Sequence, residues 1–215
     1  SSGGLTGGDR FDIDANAGTD TTLVLTTQAA ERAYRTTPGS AQVGTRLSVS
    51  PGAVLHWLPQ ELIVFDGASL ERRLDIDIDE DAEAVLVETI VFGRRAMGET
   101  RVSGTFRDRI TLTSGKRTLY WDQINLSGDI SSHLDRPAIA NGMTAMASAL
   151  YVGPRAEGLL PLVRDMLPKT GGASRVGPNL LTMRLLAADS FVLRQTLVPV
   201  LECLTGDVLP KSWSL

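Results

Sequence analysis

Residues 70–79 read Leu-Glu-Arg-Arg-Leu-Asp-Ile-Asp-Ile-Asp, and residues 84–92 read Ala-Val-Leu-Val-Glu-Thr-Ile-Val-Phe. In the first stretch, the leucine and isoleucines after residue 73 alternate with charged residues, which is the period of a strand with one buried face. The second stretch is apolar on both faces, with Glu88 as its one charged residue, so we expect a strand inside the sheet system. These two stretches indicate a β-rich fold.

Further strands surround these two. Short runs rich in Val, Leu and Thr, separated by Gly and Pro turns, predict strands at residues 21–27, 46–50, 54–58 and 62–65. Residues 105–113 and 117–124 flank a Ser-Gly-Lys turn and predict a β-hairpin.

The pattern changes after about residue 137. Helical spacing of apolar residues predicts helices at residues 138–151, 155–167 and 191–204. Residues 179–187 are expected to return to the sheet. Since the chain shows no repeat of fixed period, we predict one domain over residues 1–215, mainly β with a helical cap.

The composition excludes several classes of function. Of the 215 residues, 42% are apolar and 21% are charged, which is typical of a globular protein and not of a disordered or fibrous one. The formal net charge of −4 provides no positive field for nucleic acid. The chain has neither an apolar run long enough to cross a membrane nor the features of a signal peptide at its start. We therefore expect a cytoplasmic protein without nucleic-acid or membrane partners.

Common catalytic and metal-binding motifs are absent from the sequence. One cysteine and two distant histidines, His56 and His133, cannot form a zinc site of the usual spacing. The glycine-rich segments do not match a phosphate-binding loop, and neither a Gly-x-Ser-x-Gly nor a His-Glu-x-x-His motif occurs. The sequence therefore offers no local support for hydrolase or metalloprotease chemistry.

Carboxylates in apolar surroundings are the remaining candidates for a functional site. Burying an ionised carboxylate is costly, so such a residue is expected to have a partner or a purpose. Four acids meet this description: Asp9, Glu31, Glu88 and Asp122. The alternative is that each is simply paired with a nearby arginine, for which the candidates are Arg32, Arg94, Arg95 and Arg101.

Five motifs occur in order along the chain. They are Gly-Gly-Leu-Thr-Gly-Gly-Asp at 3–9, Thr-Thr-Gln-Ala-Ala-Glu-Arg-Ala-Tyr-Arg at 26–35, Trp-Leu-Pro-Gln-Glu at 57–61 with Phe-Asp-Gly-Ala at 65–68, Phe-Gly-Arg-Arg-Ala-Met-Gly-Glu at 92–99, and Leu-Pro-Lys-Ser-Trp at 209–213. Together they resemble the UreD family of urease accessory proteins, called UreH in some organisms. Family members carry further strands before the glycine turn, so the resemblance implies that this form lacks several N-terminal strands.

The resemblance implies a fold, a function and partners. The fold is a β-rich scaffold, β-helix-like or of stacked sheets, with a few helices in the C-terminal half. The protein is expected to be a urease maturation factor and not an enzyme, and to bind UreF, the GTPase UreG through UreF, and apo-urease. Nickel is expected to pass through an internal polar tunnel, without a tightly bound cofactor. By alignment of the motifs, Asp9, Glu31, Glu88 and Asp122 fall at transient nickel positions.

The sequence also suggests candidate surfaces for UreF and leaves two alternative functions open. Residues 138–167 and the last helix, with Pro199 and Trp213, are candidate surfaces for UreF. One alternative is a purely structural adaptor that conducts no metal. The other is a small hydrolase or isomerase that uses Glu88 and Asp122 as acid and base.

Overall fold

Two stacked β-sheets form the body of this computed structural model, which describes residues 4–36, 38–94 and 97–214. In chain order, the strands are β1 (Arg10–Ala17), β2 (Thr22–Thr26), β3 (Glu31–Ala33), β4 (Ala41–Val49), β5 (Val54–Leu58), β6 (Leu62–Val64), β7 (Ala68–Ile78), β8 (Glu83–Phe92), β9 (Ser103–Ser114), β10 (Arg117–Asp129), β11 (Ala145–Val152), β12 (Gly171–Arg175) and β13 (Leu180–Ala187). The first sheet has the order β1-β4-β7-β9-β10, and the second has β12-β13-β11-β8-β5-β2, with β3 and β6 also joined to it through β8.

The first half of the chain winds back and forth between the two sheets. β1, β4, β7 and β9 are parallel neighbours in the first sheet, while β2, β5 and β8 are parallel neighbours in the second. β3 and β6 continue this parallel arrangement beside the far end of β8. After β9 the pairings become antiparallel, first with β10 and then along β8, β11, β13 and β12. The fold is therefore solenoid-like, and the prediction of a mainly β, stacked-sheet scaffold is confirmed.

The two longer helices cover the outer face of the second sheet, whereas the short helix after β10 packs against β9 and β10 of the first sheet. The helices are α1 (Ile130–Leu134), α2 (Ala156–Met166) and α3 (Ser190–Thr205), followed by a 3-10 turn at Lys211–Trp213. The side chain of Asp189 caps α3 by accepting a hydrogen bond from the Val192 amide at 2.8 Å. Buried leucines of α3 pack with Val85 and Val87 of β8, on the side away from the first sheet.

The helices of the described residues are not membrane spans, because none of them is both long and apolar enough to cross a bilayer.

Most of the predicted elements are confirmed, but the helix predicted at 138–151 is wrong. Residues 145–152 form β11, which lies between β8 and β13 and hydrogen-bonds to both. Alanine favours helix as an isolated residue, but pairing on both edges satisfies the whole backbone of this segment, and tertiary context outweighs local propensity. The part of the predicted UreF surface at 138–151 is consequently not helical, whereas the helices predicted at 155–167 and 191–204 are present.

The space between the sheets holds two apolar clusters with a polar row between them. One cluster includes Leu47, Leu74, Leu86, Ile110 and Leu112. The other includes Leu70, Ile90, Phe92, Phe106 and Leu126. On β7, β8 and β9 the residue that separates the two clusters is charged in each case: Arg72, Glu88 and Asp108.

A buried charge cluster between the two sheets

Strand periodicity directs three charged side chains into the interior. Arg72, Glu88 and Asp108 each lie on a strand with a buried Leu, Ile or Phe two residues before and two residues after them. Since alternate side chains of a strand point to the same face, all three must point between the sheets. Arg72 and Asp108 are also register partners on β7 and β9. We call these three residues, together with Glu31, the charge cluster.

Arg72 is the centre of the charge cluster. Its Nε donates to Asp108 Oδ1 at 3.0 Å and its Nη2 donates to Asp108 Oδ2 at 2.8 Å, which is a bidentate pair. Its Nη1 lies 2.5 Å from Glu88 Oε2. This second contact is an ion pair, and no hydrogen bond to Glu88 Oε2 is found among the described residues. The other oxygen, Glu88 Oε1, accepts a hydrogen bond from Trp57 Nε1 at 2.8 Å.

The charge cluster contains more negative than positive charge. Burial raises the pKa of Glu88, and Arg72 lowers it by a smaller amount. Burial likewise raises the pKa of Glu31, against a lowering by Arg72. With every group ionised, three carboxylates face one guanidinium, and the formal charge is −2. The cluster therefore favours an additional positive charge, supplied either by protons or by a cation.

Glu31 joins the charge cluster from the edge of the second sheet. It is the first residue of β3, and its amide donates to the Glu61 carbonyl at 2.9 Å. Its side chain is half-buried and interacts electrostatically with Arg72 and Glu88. Of the four predicted acids, Glu88 thus contacts Arg72 directly, and Glu31 interacts with Arg72 electrostatically, without an ion pair between the two among the contacts of the described residues.

Asp122 lies at the opposite edge of the polar row. Its carboxylate forms an ion pair with Arg184, whose Nε donates to Ser148 Oγ at 3.3 Å. Ser148 of β11 is the register partner of both Arg184 and Glu88, so these three residues lie in one line across the second sheet. The Asp122 side chain is 21% exposed and that of Arg184 is 44% exposed. A groove of about 340 Å³ between β10, α1 and β13 opens beside Arg184.

Asp9 has a local structural role. Its carboxylate accepts a hydrogen bond from the Thr6 amide at 2.8 Å and closes the glycine turn. Among the contacts of the described residues, none joins Asp9 to the charge cluster. Gly3, at the start of this motif, lies outside the described residues.

Three of the four arginines named as candidate partners do not pair with the predicted acids in the contacts of the described residues. Arg32 is exposed, Arg94 pairs with Glu99, and Arg101 pairs with Asp129. Arg95 lies outside the described residues.

The structure provides Arg72 as the partner of Glu88 and Arg184 as the partner of Asp122, and Asp108 pairs with Arg72 in turn. The sequence analysis missed these three residues. The inward orientation of Arg72 and Asp108 could have been predicted, because both residues fall in phase with the apolar residues of their strands.

A second polar cluster lies on the helix side of the second sheet. Arg194 of α3 donates to Gln60 Oε1 at 2.9 Å, to Glu61 Oε1 at 2.7 Å and to the Trp213 carbonyl at 2.9 Å. These contacts fix α3 and the last turn to the interruption between β5 and β6. Gln60 Nε2 and Thr89 Oγ1 are buried there without a hydrogen-bond partner among the described residues. Buried polar atoms of this kind are usually satisfied by water.

The donor groups do not converge as they do in a tight metal site. Among the described residues, no group of three or more His, Cys, Asp or Glu side chains is close enough to hold a metal ion. In the charge cluster, the Arg72 guanidinium occupies the position between the carboxylates of Glu88 and Asp108.

Comparison with known proteins identifies the family. The sequence profile described as "UreD urease accessory protein" matches residues 1–214. The urease accessory protein UreD of Roseobacter denitrificans is 49% identical over 214 residues, covering 99% of this chain and 78% of that protein. The UreD proteins of Ruegeria pomeroyi and Agrobacterium fabrum are 49% and 46% identical, covering 99% and 100% of this chain and 83% and 76% of their own lengths. The chain therefore belongs to the UreD family of urease accessory proteins, which are maturation factors and not enzymes.

Proposed function

We propose that this chain passes nickel to apo-urease along the polar row between its two sheets. We also propose that the chain binds apo-urease and UreF in the cytoplasm, and that it binds the GTPase UreG through UreF. The observation that carries the proposal is the charge cluster, in which the carboxylates of Glu88 and Asp108 contact one guanidinium between two apolar clusters, and a third carboxylate, that of Glu31, interacts with it electrostatically. A divalent cation would neutralise its formal charge of −2.

The chemistry of the donors suits transfer better than storage. Carboxylate oxygens hold nickel less tightly than imidazole or thiolate groups do. A pathway must bind its ion strongly enough to admit it, and weakly enough at each of several positions to release it. Glu31, Glu88 and Asp122 provide several such positions.

The placement of the acids also supports a pathway. Asp122 is on β10, the last strand of the first sheet, whereas Glu31 begins β3, which pairs with β6 at the edge of the second sheet. Arg184, Ser148 and Glu88 connect these two edges of the molecule. Asp9 has no contact with this row, so the proposal rests on the other three acids.

The observations support the conduit more than the enzymatic alternative. An acid and base pair would need Glu88 and Asp122 to face one substrate, but Arg72 holds the first and Arg184 holds the second. A structural adaptor would not need these carboxylates for nickel transfer to urease, whereas a conduit would. That difference can be measured.

Urease activation in cells tests the proposal. The full-length protein would carry Glu88→Gln, Asp122→Asn or both, with Asp14→Asn, an exposed acid on the outer face of β1, as the control. Gln and Asn retain size and hydrogen bonding but remove the charge. We expect urease activity and nickel content to fall by about tenfold in the double variant, as for loss of a metal-site residue.

Copurification of UreF and urease must accompany the activity measurement. If both partners still bind and activation falls, the acids act in nickel transfer. Normal activation with both acids neutralised would rule out the conduit through these residues and leave the adaptor.

A further inference from the structure

We propose that Arg72 is a built-in counter-cation that prevents the charge cluster from holding a divalent metal ion at rest. This inference rests on the proposed function, since it states how a row of buried acids avoids trapping the nickel that it passes. It assigns to Arg72 a regulatory role beyond cross-linking the two sheets.

The position of Arg72 is the first argument. Two neighbouring nitrogens of one guanidinium contact two different acids: Nη2 is 2.8 Å from Asp108 Oδ2 and Nη1 is 2.5 Å from Glu88 Oε2. A metal ion that bridged these two carboxylates would have to occupy the same space. The Arg72 side chain is only 10% exposed, so water does not screen its charge as it would at the surface.

The two contacts of Arg72 differ in kind, which is the second argument. The contact with Asp108 has two hydrogen bonds in fork geometry. The contact with Glu88 has one point only, the ion pair from Nη1 to Oε2, and no hydrogen bond to that buried oxygen is found among the described residues. Arg72 can therefore stay fixed to Asp108 while Glu88 exchanges its partner for an incoming cation.

The consequence of removing the positive charge follows from these contacts. Without Arg72, the buried carboxylates of Glu88 and Asp108 and the half-buried one of Glu31 would lack a counter-ion, and a divalent cation would be their best available partner. The charge cluster would then retain nickel instead of releasing it. Lysine would not replace arginine fully, because it cannot form the two-point contact with Asp108.

Nickel binding by the purified, untagged full-length protein tests the inference without urease. The variants are Arg72→Gln and, as the matched control, Arg73→Gln, whose side chain is on the outer face of the same strand. Equilibrium dialysis with Ni²⁺ alone would measure affinity and stoichiometry. We expect Arg72→Gln to bind one Ni²⁺ at least about tenfold more tightly than wild type, as ligand charge sets affinity at such sites.

Thermal unfolding with and without Ni²⁺ provides a second readout. Nickel should raise the melting temperature of Arg72→Gln and leave wild type and Arg73→Gln unchanged, because only a bound ion can stabilise the folded state in this way. In case Arg72→Gln does not fold alone, Arg72→Gln with Asp108→Asn neutralises the whole bidentate pair and leaves Glu31 and Glu88 to bind the ion.

Two results would overturn the inference. One is that neither folded variant binds Ni²⁺ more tightly than wild type. The other is that tight binding by Arg72→Gln survives the addition of Glu88→Gln, since the ion would then bind elsewhere. Neither result depends on urease activation, so failure of this inference is distinguishable from failure of the transfer proposal.

Discussion

Two arginine–aspartate pairs join β7 to β9 from opposite faces of the first sheet. Arg72 and Asp108 are inside, with side chains that are 10% and 5% exposed. Arg109 and Asp75 are outside, at 37% and 43%. The strands and the residue types are the same, but the two pairs differ in burial and in geometry, because Arg109 contacts Asp75 through Nη2 alone.

Removing the aspartate from each pair should lower the free energy of unfolding by unequal amounts. We expect Asp108→Ala to lower the free energy of unfolding by about 3 kcal/mol or more, because it leaves buried donors of Arg72 unpaired. Asp75→Ala should cost less than about 1 kcal/mol, as is usual for exposed ion pairs. Urea denaturation of both variants measures the difference, and equal losses would contradict it.

The raised pKa of Glu31 predicts a dependence of stability on pH. Burial raises this pKa above 4.5 in the folded protein, so the folded state retains a proton that the unfolded chain has already released. The contribution of Glu31 to stability therefore falls as the pH rises from 4.5 through the raised pKa. Glu31→Gln should lack this loss.

Urea unfolding between pH 4.5 and about 8 tests the sign of this effect. The matched control is Glu71→Gln, which removes an acid from the outer face of β7. A steeper decline with pH in Glu31→Gln than in wild type would show that the assignment is wrong.

The sequence identified the acids of the site better than it identified their partners. Glu88 is conspicuous because it interrupts an apolar strand. Arg72 and Asp108 belong to strands that alternate, where a charged residue is expected at every second position, and only the phase of the alternation distinguishes them. The pairing of Asp122 with Arg184 could not be predicted, because β10 and β13 become neighbours only through the stacking of the two sheets.

At the scale of elements, β11 shows where local propensity fails. Its alanines at 145, 147 and 149 are buried against the helices that cover the second sheet. These small side chains are required because the helices approach the strand closely, and the same composition suggested a helix. In contrast, β5, β8 and the hairpin of β9 and β10 were predictable, since their apolar period and turn residues are local properties.

Enlarging a side chain on β11 tests this packing. Ala147→Leu should lower the free energy of unfolding by about 1–3 kcal/mol through overpacking. Met146→Leu, the control, changes the other face of the same strand with little change in volume and should cost less than about 1.5 kcal/mol. Similar small losses in both variants would indicate that the helices do not restrict the size of residue 147.

At the scale of the molecule, the parallel pairings connect distant parts of the chain. Ala17 pairs with Val49, and Val49 pairs with Ile78, so neighbouring strands are about thirty residues apart in sequence. Nine of the thirteen described strands could be predicted from local patterns, whereas β1, β3 and β12 were missed and β11 was predicted as a helix. The order of the strands in the two sheets could not be predicted, because each pairing is non-local. The extent of the domain, residues 1–215, stays a prediction.

This topology predicts slow folding. Chains dominated by non-local strand pairing fold in about milliseconds to seconds, since loop-closure entropy is lost before the contacts form. Stopped-flow tryptophan fluorescence after dilution from urea would measure the rate. Complete refolding within about a hundred microseconds would contradict the expectation.

The hydrogen bond from Trp57 to Glu88 gives the protein an internal optical reporter. The indole donates to the carboxylate at 2.8 Å, so its emission depends on the charge and occupancy of that oxygen. The other two tryptophans are elsewhere: Trp121 is 58% exposed, and Trp213 donates to the Leu58 carbonyl. With phenylalanine at 121 and 213, the remaining fluorescence would record in real time each proton or metal ion that reaches Glu88.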